Sequence, residues 1–436
     1  MNNNRNEKRP KRLGLFLLLK IINLSKIDVW LMRFLKFFSI VLLLFQSCFN
    51  NYEPQLGNYR AEIKTKDGSI LPFKFELTKE LNQFVMIVEN DKETLIYDDI
   101  IFEEDSIKIF MPPYDAVIIA KKDAESLNGR YLKEESGKEA SFYAKINNEP
   151  KFQSDKKANF SLNGKYKTVF RPENPYPGLG IFNQEGNKVS GTFRKNTGDT
   201  RYLSGITFGD SILLSTFDGA HPYLIKAEKK GDTIFGNLHY YSSSITEFWM
   251  VEDQNYELAD SKSLTKLKDG FQSINFNFKD TNGKFISLND EQFKNKVVVV
   301  QILGTWCPNC LDETQFFLSY LKDNPNKDLA FVGLSVEAAK TEDRAMKRIK
   351  NMIDKFNIPY PILLAQYGGT DKEKFLEKLP MLDNIISYPT SIVIDKTGKV
   401  NSIHTGFNGP ATGQAFIDYK SEFESEIKGL LELQHE

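Results

Sequence analysis

The segment GTWCPNC, Gly304–Cys310, places two cysteines in a Cys-x-x-Cys spacing directly behind a tryptophan. Two thiols at this spacing can close a disulfide, so the pair can accept and donate two electrons by thiol–disulfide exchange. A structural zinc site needs four ligands, and the sequence has neither a second cysteine pair nor a cysteine–histidine cluster. The spacing therefore favours redox chemistry, with no metal and no cofactor expected.

A strand and a helix flank this pair. Lys296–Leu303, KVVVVQIL, is a continuous apolar run typical of a strand buried on both faces of an α/β sheet. The segment after the motif, LDETQFFLSYLKDN, has apolar residues at helical spacing. Cys307 is therefore expected at a helix N-terminus, where free N–H groups and the helix dipole favour the attacking thiolate. Cys310 follows one helical turn later and can resolve a mixed disulfide.

The rest of the C-terminal third alternates between strand and helix patterns. LAFVGLSV predicts a second buried strand, RAMKRIKNMIDKFN an amphipathic helix, SIVIDKTGKVNSIHTGF a hairpin and QAFIDYKSEFESEIKGLLELQ a closing helix. SINFNFKDTNGKFISLND predicts a preceding hairpin with a turn at Asn282-Gly283. Residues 265–436 are thus predicted to form an α/β layer fold.

Four features of this region point to a known family. They are Trp306-Cys307-Pro308-Asn309-Cys310 between strand and helix, Tyr388-Pro389-Thr390 before a strand, Val393–Val400 (VIDKTGKV) in the following hairpin, and Glu313 after the second cysteine. In these features the region, from Phe276 onward, resembles the thioredoxin superfamily. It is most similar to the membrane-tethered extracytoplasmic thiol-disulfide oxidoreductases of the TlpA/ResA type.

The resemblance implies a role for each motif residue. Cys307 and Cys310 would be the catalytic pair and form the redox disulfide, and Glu313 would be a buried acid that exchanges a proton with Cys310. The alternative for Glu313 is a first-turn glutamate that only favours the helix dipole.

Three further residues would bind substrate. By the same resemblance, Trp306 would flank and shield the nucleophilic thiol. Tyr388 and a cis Pro389 would expose backbone that can pair with a substrate strand, and an X-Pro bond is where the cis form costs least.

The partners implied are protein thiols and disulfides and a membrane electron donor of the DsbD type. Reduction of protein disulfides is preferred, because the tethered family mostly reduces, although the direction of electron flow stays open and an oxidase is an alternative. A peroxiredoxin-type peroxidase would want threonine where Gly304 stands. A copper-delivery protein of the Sco type would want one more residue between the cysteines and a histidine. His404 lies downstream but is expected to be a hairpin residue.

The half of the chain before this region is predicted to be an antiparallel β-meander or barrel-like region. Short alternating segments such as LPFKFEL and FVMIVEN are separated by turn residues. Weak repeats at a spacing of about 105 residues indicate two copies of one unit, over 55–150 and 158–257. The copies could form two small barrels or one large lipocalin-like barrel.

A binding role for this β-rich half is the alternative function. A barrel can bind a ligand or partner, with the redox domain as an accessory. Its two histidines, His221 and His239, have no metal-ligand spacing around them, so structural or surface roles are expected for both.

The N-terminus carries a targeting pattern. From Met32, a candidate start, a short basic stretch leads into Phe37–Phe45, an apolar run too short to span a bilayer but suited to a signal peptide. It ends before Cys48 and resembles a bacterial lipoprotein signal whose cleavage leaves a lipidated cysteine, although Gln46 stands where a smaller residue is usual. The alternative is a plain signal peptide or membrane anchor. Residues 1–48 are therefore predicted to be a leader.

This leader implies a location. The lipoprotein resemblance places the chain in the cell envelope of a Gram-negative bacterium, anchored to a membrane through Cys48 and facing the periplasm. The outer membrane is mildly favoured because no acidic residue immediately follows the cysteine. The formal net charge of −1 over 436 residues gives no electrostatic basis for binding nucleic acid.

Overall fold

The computed structural model describes residues 53–123, 125–242 and 245–433. The predicted leader, with the proposed anchor Cys48, lies outside the described residues. In the described part of the chain, every helix is too short or too polar to span a lipid bilayer.

The described residues form three β-sheets and four α-helices. The strands of the first sheet are β1 Gly57–Lys64, β2 Ile70–Glu80, β3 Gln83–Asn90, β4 Glu93–Tyr97, β5 Ile100–Phe102, β6 Ser106–Phe110, β7 Ala116–Lys122, β8 Ser126–Lys133 and β9 Lys138–Ile146. Those of the second are β10 Gly164–Phe170, β11 Tyr176–Glu185, β12 Lys188–Lys195, β13 Gly198–Asp199, β14 Leu203–Phe208, β15 Ser211–Phe217, β16 Pro222–Lys230, β17 Thr233–Tyr240 and β18 Ile245–Glu252. Those of the third are β19 Asn277–Lys279, β20 Phe285–Ser287, β21 Val297–Leu303, β22 Leu329–Val336, β23 Ile362–Gln366, β24 Thr390–Ile394 and β25 Val400–Thr405. The helices are α1 Pro308–Asp323, α2 Glu342–Phe356, α3 Lys372–Leu376 and α4 Gln414–Glu432.

The first two sheets are antiparallel meanders with the same circuit. In each, most consecutive strands pair and the first strand also pairs with the last, β1 with β9 and β10 with β18. In the second sheet, β12 pairs with both β13 and β14. The first sheet stays open between β4 and β5, whereas pairing of β11 with β12 closes the second sheet into a barrel. The β-rich half thus contains two separate sheets and not one large barrel.

The sequence repeats occupy equivalent strands of these two sheets. GNYRAEI opens β1 and GKYKTVF opens β10, while the other repeated pairs fall on β6 and β15 and on β8 and β17. The alternation of apolar residues explains why the copies fold alike, since every second residue of a strand points to the same face. Tyr59, Ala61 and Ile63 of β1 are all fully buried.

The third sheet confirms the α/β fold predicted for the C-terminal third. Its central strands β21, β22 and β23 are parallel, and β24 runs antiparallel beside β21. All seven residues of β21 are buried, as its apolar sequence, interrupted only by Gln301, indicates. Strand β23 is not predicted from the sequence, because its four apolar residues and one glutamine are too few to show a periodic pattern.

The first two sheets pack through an aromatic contact at the end of β15. Phe217 is fully buried, and its ring stacks on Phe73 of the first sheet with centroids 4.1 Å apart. Backbone groups beside it are also paired across the contact, since Asn90 donates to the Phe217 carbonyl at 2.9 Å and Tyr97 to that of Asp218 at 2.8 Å. The loop after β15 is therefore held by the first sheet.

Replacing Phe217 by alanine tests whether its contact with the first sheet contributes to the stability of the fold. We expect Phe217→Ala to lower the free energy of unfolding by about 3–5 kcal/mol, because it removes a fully buried aromatic ring and leaves a cavity. Phe235→Ala is the matched control in the same sheet, since that ring is 49% exposed, and should change stability by no more than about 0.5 kcal/mol. Urea denaturation followed by circular dichroism measures both, and equal losses would contradict the assignment.

Candidate active site

Cys307 caps the N-terminus of α1. Its backbone is extended, Pro308 occupies the first turn, and the Cys307 Sγ accepts a hydrogen bond from the Cys310 N–H at 3.3 Å. Proline suits this position because an N–H in the first turn of a helix has no intrahelical partner, so the lack of an N–H in proline costs no hydrogen bond there. The sulfur therefore faces the free N–H groups of the helix, an environment that stabilises a thiolate.

The predicted substrate-binding residues gather around this sulfur. Cys307 Sγ lies 3.5 Å from the carbonyl oxygen of Tyr388, and the Tyr388–Pro389 peptide bond is cis. The Trp306 indole stands edge-on to the Tyr388 ring at 5.8 Å and donates to the Val336 carbonyl at 2.9 Å. The structure thus brings together two segments that lie far apart in the sequence, Trp306-Cys307 and Tyr388-Pro389.

Cys310 and Glu313 lie behind Cys307 in the interior. Both are fully buried, and burial raises the pKa of the Cys310 thiol well above its usual range. Glu313 accepts hydrogen bonds from Gln301 at 2.9 Å and from the Tyr419 hydroxyl at 3.1 Å, and burial raises its pKa to about 7. Since the first turn of α1 contains no acidic residue, Glu313 is not placed to act mainly on the helix dipole.

Gln301 is a site residue that the sequence analysis missed. Its amide donates both to Glu313 and to the Cys310 carbonyl at 3.1 Å, and its oxygen accepts from Thr314 at 2.9 Å. The amide thereby holds the carboxyl beside the buried cysteine. The sequence does contain a signal for this residue, because Gln301 is the single polar residue within the apolar run of β21.

The β-rich half also reaches the site. The turn between β12 and β13 approaches so closely that a Cβ on Gly198 would lie 2.5 Å from the Asn309 amide nitrogen. The Ser387 hydroxyl donates to the Thr197 carbonyl at 2.9 Å, on the cis-proline side of Cys307. Nothing in the sequence near these residues indicates the contact.

A cavity of about 150 Å³ opens onto Cys307 between the two parts. His221 and Tyr223 of the second sheet line it together with Trp306. His221 therefore faces the redox site, which the sequence analysis did not anticipate. His239 instead has a structural contact, 2.9 Å from Asp67 of the first sheet.

The third histidine among the described residues lies in the third sheet. His404 is in β25, within the predicted hairpin, and its ring packs edge-on against Tyr419 at 4.7 Å. Within the described residues, no three His, Cys, Asp or Glu side chains are grouped so that they could hold a metal ion.

Glu313→Gln should change the pH profile of the step in which Cys310 attacks the mixed disulfide. A carboxyl with a pKa of about 7 becomes a base as the pH rises through 7, so we expect the wild-type rate to rise there. The variant should lose this inflection and react about 10²-fold more slowly, as when a general base is removed. Release of glutathione from the mixed disulfide in single-turnover experiments measures the rate.

Asp312→Asn is the control for this profile. Burial also raises the pKa of Asp312 to about 7, but its carboxylate pairs with Arg201 at 3.0 Å and not with the cysteine pair. This variant should keep the inflection. An inflection that disappears in Asp312→Asn and survives in Glu313→Gln would contradict the assignment of the proton acceptor.

Comparisons with known proteins agree with this geometry. Residues 266–416 match the Redoxin family model, which stops short of the β-rich half. The thioredoxin-like protein YneN of Bacillus subtilis is 27% identical over 146 residues, which cover 34% of this chain and 76% of YneN. The thiol-disulfide oxidoreductase ResA of the same organism is 28% identical over 142 residues, covering 32% of this chain and 69% of ResA.

Solved structures also match about a third of the chain. A thiol-disulfide oxidoreductase from Bacteroides fragilis is 18% identical and covers 34% of this chain and 99% of that one, with a TM-score of 0.26. StoA from Bacillus subtilis is 19% identical, covering 34% and 94%, with a TM-score of 0.24. The region that matches the family model, residues 266–416, contains the Cys-x-x-Cys site. It is named the redoxin domain after that match.

Proposed function

We propose that this protein is an extracytoplasmic thiol-disulfide oxidoreductase that reduces protein disulfides through Cys307 and Cys310. The observation that supports it best is the asymmetry of the two thiols. One sulfur caps a helix beside the Tyr388 carbonyl, and the other is fully buried next to a carboxyl with a raised pKa. A nucleophile and a resolving thiol need these different surroundings.

The reaction proceeds in two exchanges. The Cys307 thiolate attacks one sulfur of the substrate disulfide, so that a Cys307–substrate bond forms, the substrate S–S bond breaks and one substrate thiolate leaves and takes up a proton. Cys310 then gives its proton to Glu313 and attacks Cys307 Sγ. The second substrate sulfur leaves and is protonated, so that the substrate has gained two electrons and the enzyme dithiol has become a disulfide.

The surroundings of this reaction follow from the family resemblance. A membrane dithiol donor of the DsbD type would restore the enzyme dithiol, and a lipid on Cys48 would hold the chain at an envelope membrane facing the periplasm. Trp306 would shield the thiol, and the backbone at Tyr388 and Pro389 would pair with the substrate. The alternative of an independent β-rich binding module is weakened because the second sheet lines the cavity at Cys307.

Cys310→Ala should trap the first intermediate. Without the resolving thiol the mixed disulfide on Cys307 persists, so incubation with glutathione disulfide should add one glutathione per chain, visible by intact mass. Cys307→Ala is the matched control and should add none, because the remaining Cys310 thiol is fully buried and burial raises its pKa. Equal modification of the two variants would contradict the assignment of nucleophile and resolving thiol.

The direction of electron flow is tested by the reduction potential of the pair. A reductase should have a potential below about −200 mV, toward the thioredoxin end of the range, measured by equilibrating the chain with glutathione or dithiothreitol buffers. A value near about −120 mV, the strong-oxidant end, would make the protein an oxidase.

A further inference from the structure

The hairpin formed by β12 and β13, Arg194–Asp199, covers the active site. Its turn lies between the cis-proline loop and the residues after β25, since Thr197 accepts a hydrogen bond from Ser387 and the Asn196 carbonyl would lie 2.8 Å from a Cβ on Gly406. With the hairpin in place, Cys307 is only 6% exposed. The hairpin thus stands beside the backbone where a polypeptide substrate would pair.

Side chains from both domains hold this hairpin in place. Arg194 donates through Nε to the Asn408 side-chain oxygen at 3.1 Å, and Asp199 accepts from the Gly409 N–H at 2.7 Å. Arg201, two residues after the hairpin, pairs with Asp312 of α1 at 3.0 Å. A polypeptide can enter the groove only by breaking some of these contacts.

A small molecule has no such obstacle. The cavity of about 150 Å³ leads to Cys307 without movement of the hairpin, and a cavity of this size admits a benzene-sized molecule. Its lining includes Lys195, Thr197 and His221 together with Trp306. The reacting end of a low-molecular-weight disulfide fits this space, whereas an extended peptide strand does not.

We propose that the β12–β13 hairpin determines substrate preference at Cys307. It competes with polypeptides for the groove at the cis-proline, so protein disulfides react only after the hairpin is displaced, whereas low-molecular-weight disulfides react directly. This inference rests on the proposed function, and the exchange chemistry is unchanged. The hairpin alters access alone, so the two substrate classes should respond differently when it is loosened.

The test loosens the hairpin from the redoxin side. Ser387→Ala with Asn408→Ala removes two side-chain hydrogen bonds to the hairpin and leaves the hairpin sequence and the cavity lining intact. The Ser387 hydroxyl also lies 3.1 Å from the Tyr388 carbonyl, and the rate with glutathione disulfide reports any effect of that second loss on Cys307. The control is Asn401→Ala with Ser421→Ala, the same residue types at an exposed surface of the same domain. The probes are glutathione disulfide and insulin, with dithiothreitol as the source of electrons and its own background rate subtracted.

We expect the double variant to reduce insulin about tenfold faster than the wild type, the size of effect that the loss of two hydrogen bonds allows. Its rate with glutathione disulfide should stay within about twofold, and the control variant should match the wild type with both probes. An unchanged ratio of the two rates in the double variant overturns the proposal. A wild type that reduces neither probe, although its two thiols titrate normally, would instead overturn the proposed function.

A single-turnover measurement makes the test independent of those variants. In the Cys310→Ala chain, the rate of mixed-disulfide formation with each probe is divided by the rate at which free cysteine attacks the same probe, which removes intrinsic differences in reactivity. We expect this normalised rate to be at least about tenfold higher for glutathione disulfide than for insulin. Equal normalised rates would show that the hairpin does not obstruct polypeptides.

Discussion

The buried guanidinium of Arg201 is the point on which the arrangement of the chain depends. It pairs with Glu93 of the first sheet at 2.7 Å and with Asp312 of the redoxin domain at 3.0 Å, while its own backbone belongs to the second sheet region. A buried charge that loses its partner costs about 3–5 kcal/mol. The three parts must therefore stay together around this side chain, and the hairpin just before it is held at Cys307 as a result.

The chemistry of the site depends on a contrast between two neighbouring thiols. Cys307 meets a helix N-terminus and a backbone donor, whereas Cys310 is fully buried, and burial raises the pKa of its thiol. The proton of the second thiol needs an acceptor inside the fold, because bulk water does not reach it. Glu313, held by Gln301 and Tyr419, is positioned at that depth.

The sequence predicted the elements that neighbouring residues form, and it could not predict contacts between residues that lie far apart in the chain. The α/β fold and most of the candidate site were indicated by the apolar run of β21, the Cys-x-x-Cys pair and the Tyr388-Pro389 motif. These signals are available because strand and helix patterns depend on residues that are neighbours in the sequence. The contact of Thr197 with Ser387 joins residues 190 positions apart, and no periodic pattern in the sequence indicates it. His221 was assigned a structural or surface role for the same reason, since its place at the cavity arises only when two domains pack.

One hairpin of the repeated unit makes different contacts in the two sheets. Hairpins β3–β4 and β12–β13 are equivalent in the two sheets, and each turns through two residues between its paired ends. The first hairpin presents Glu93 to Arg201, and the second lies against the cis-proline loop. The contacts therefore run from the first sheet through Arg201 to the hairpin at Cys307. In this arrangement the β-rich half forms one wall of the candidate site, so the surface around Cys307 belongs to both parts of the described chain and not to the redoxin domain alone.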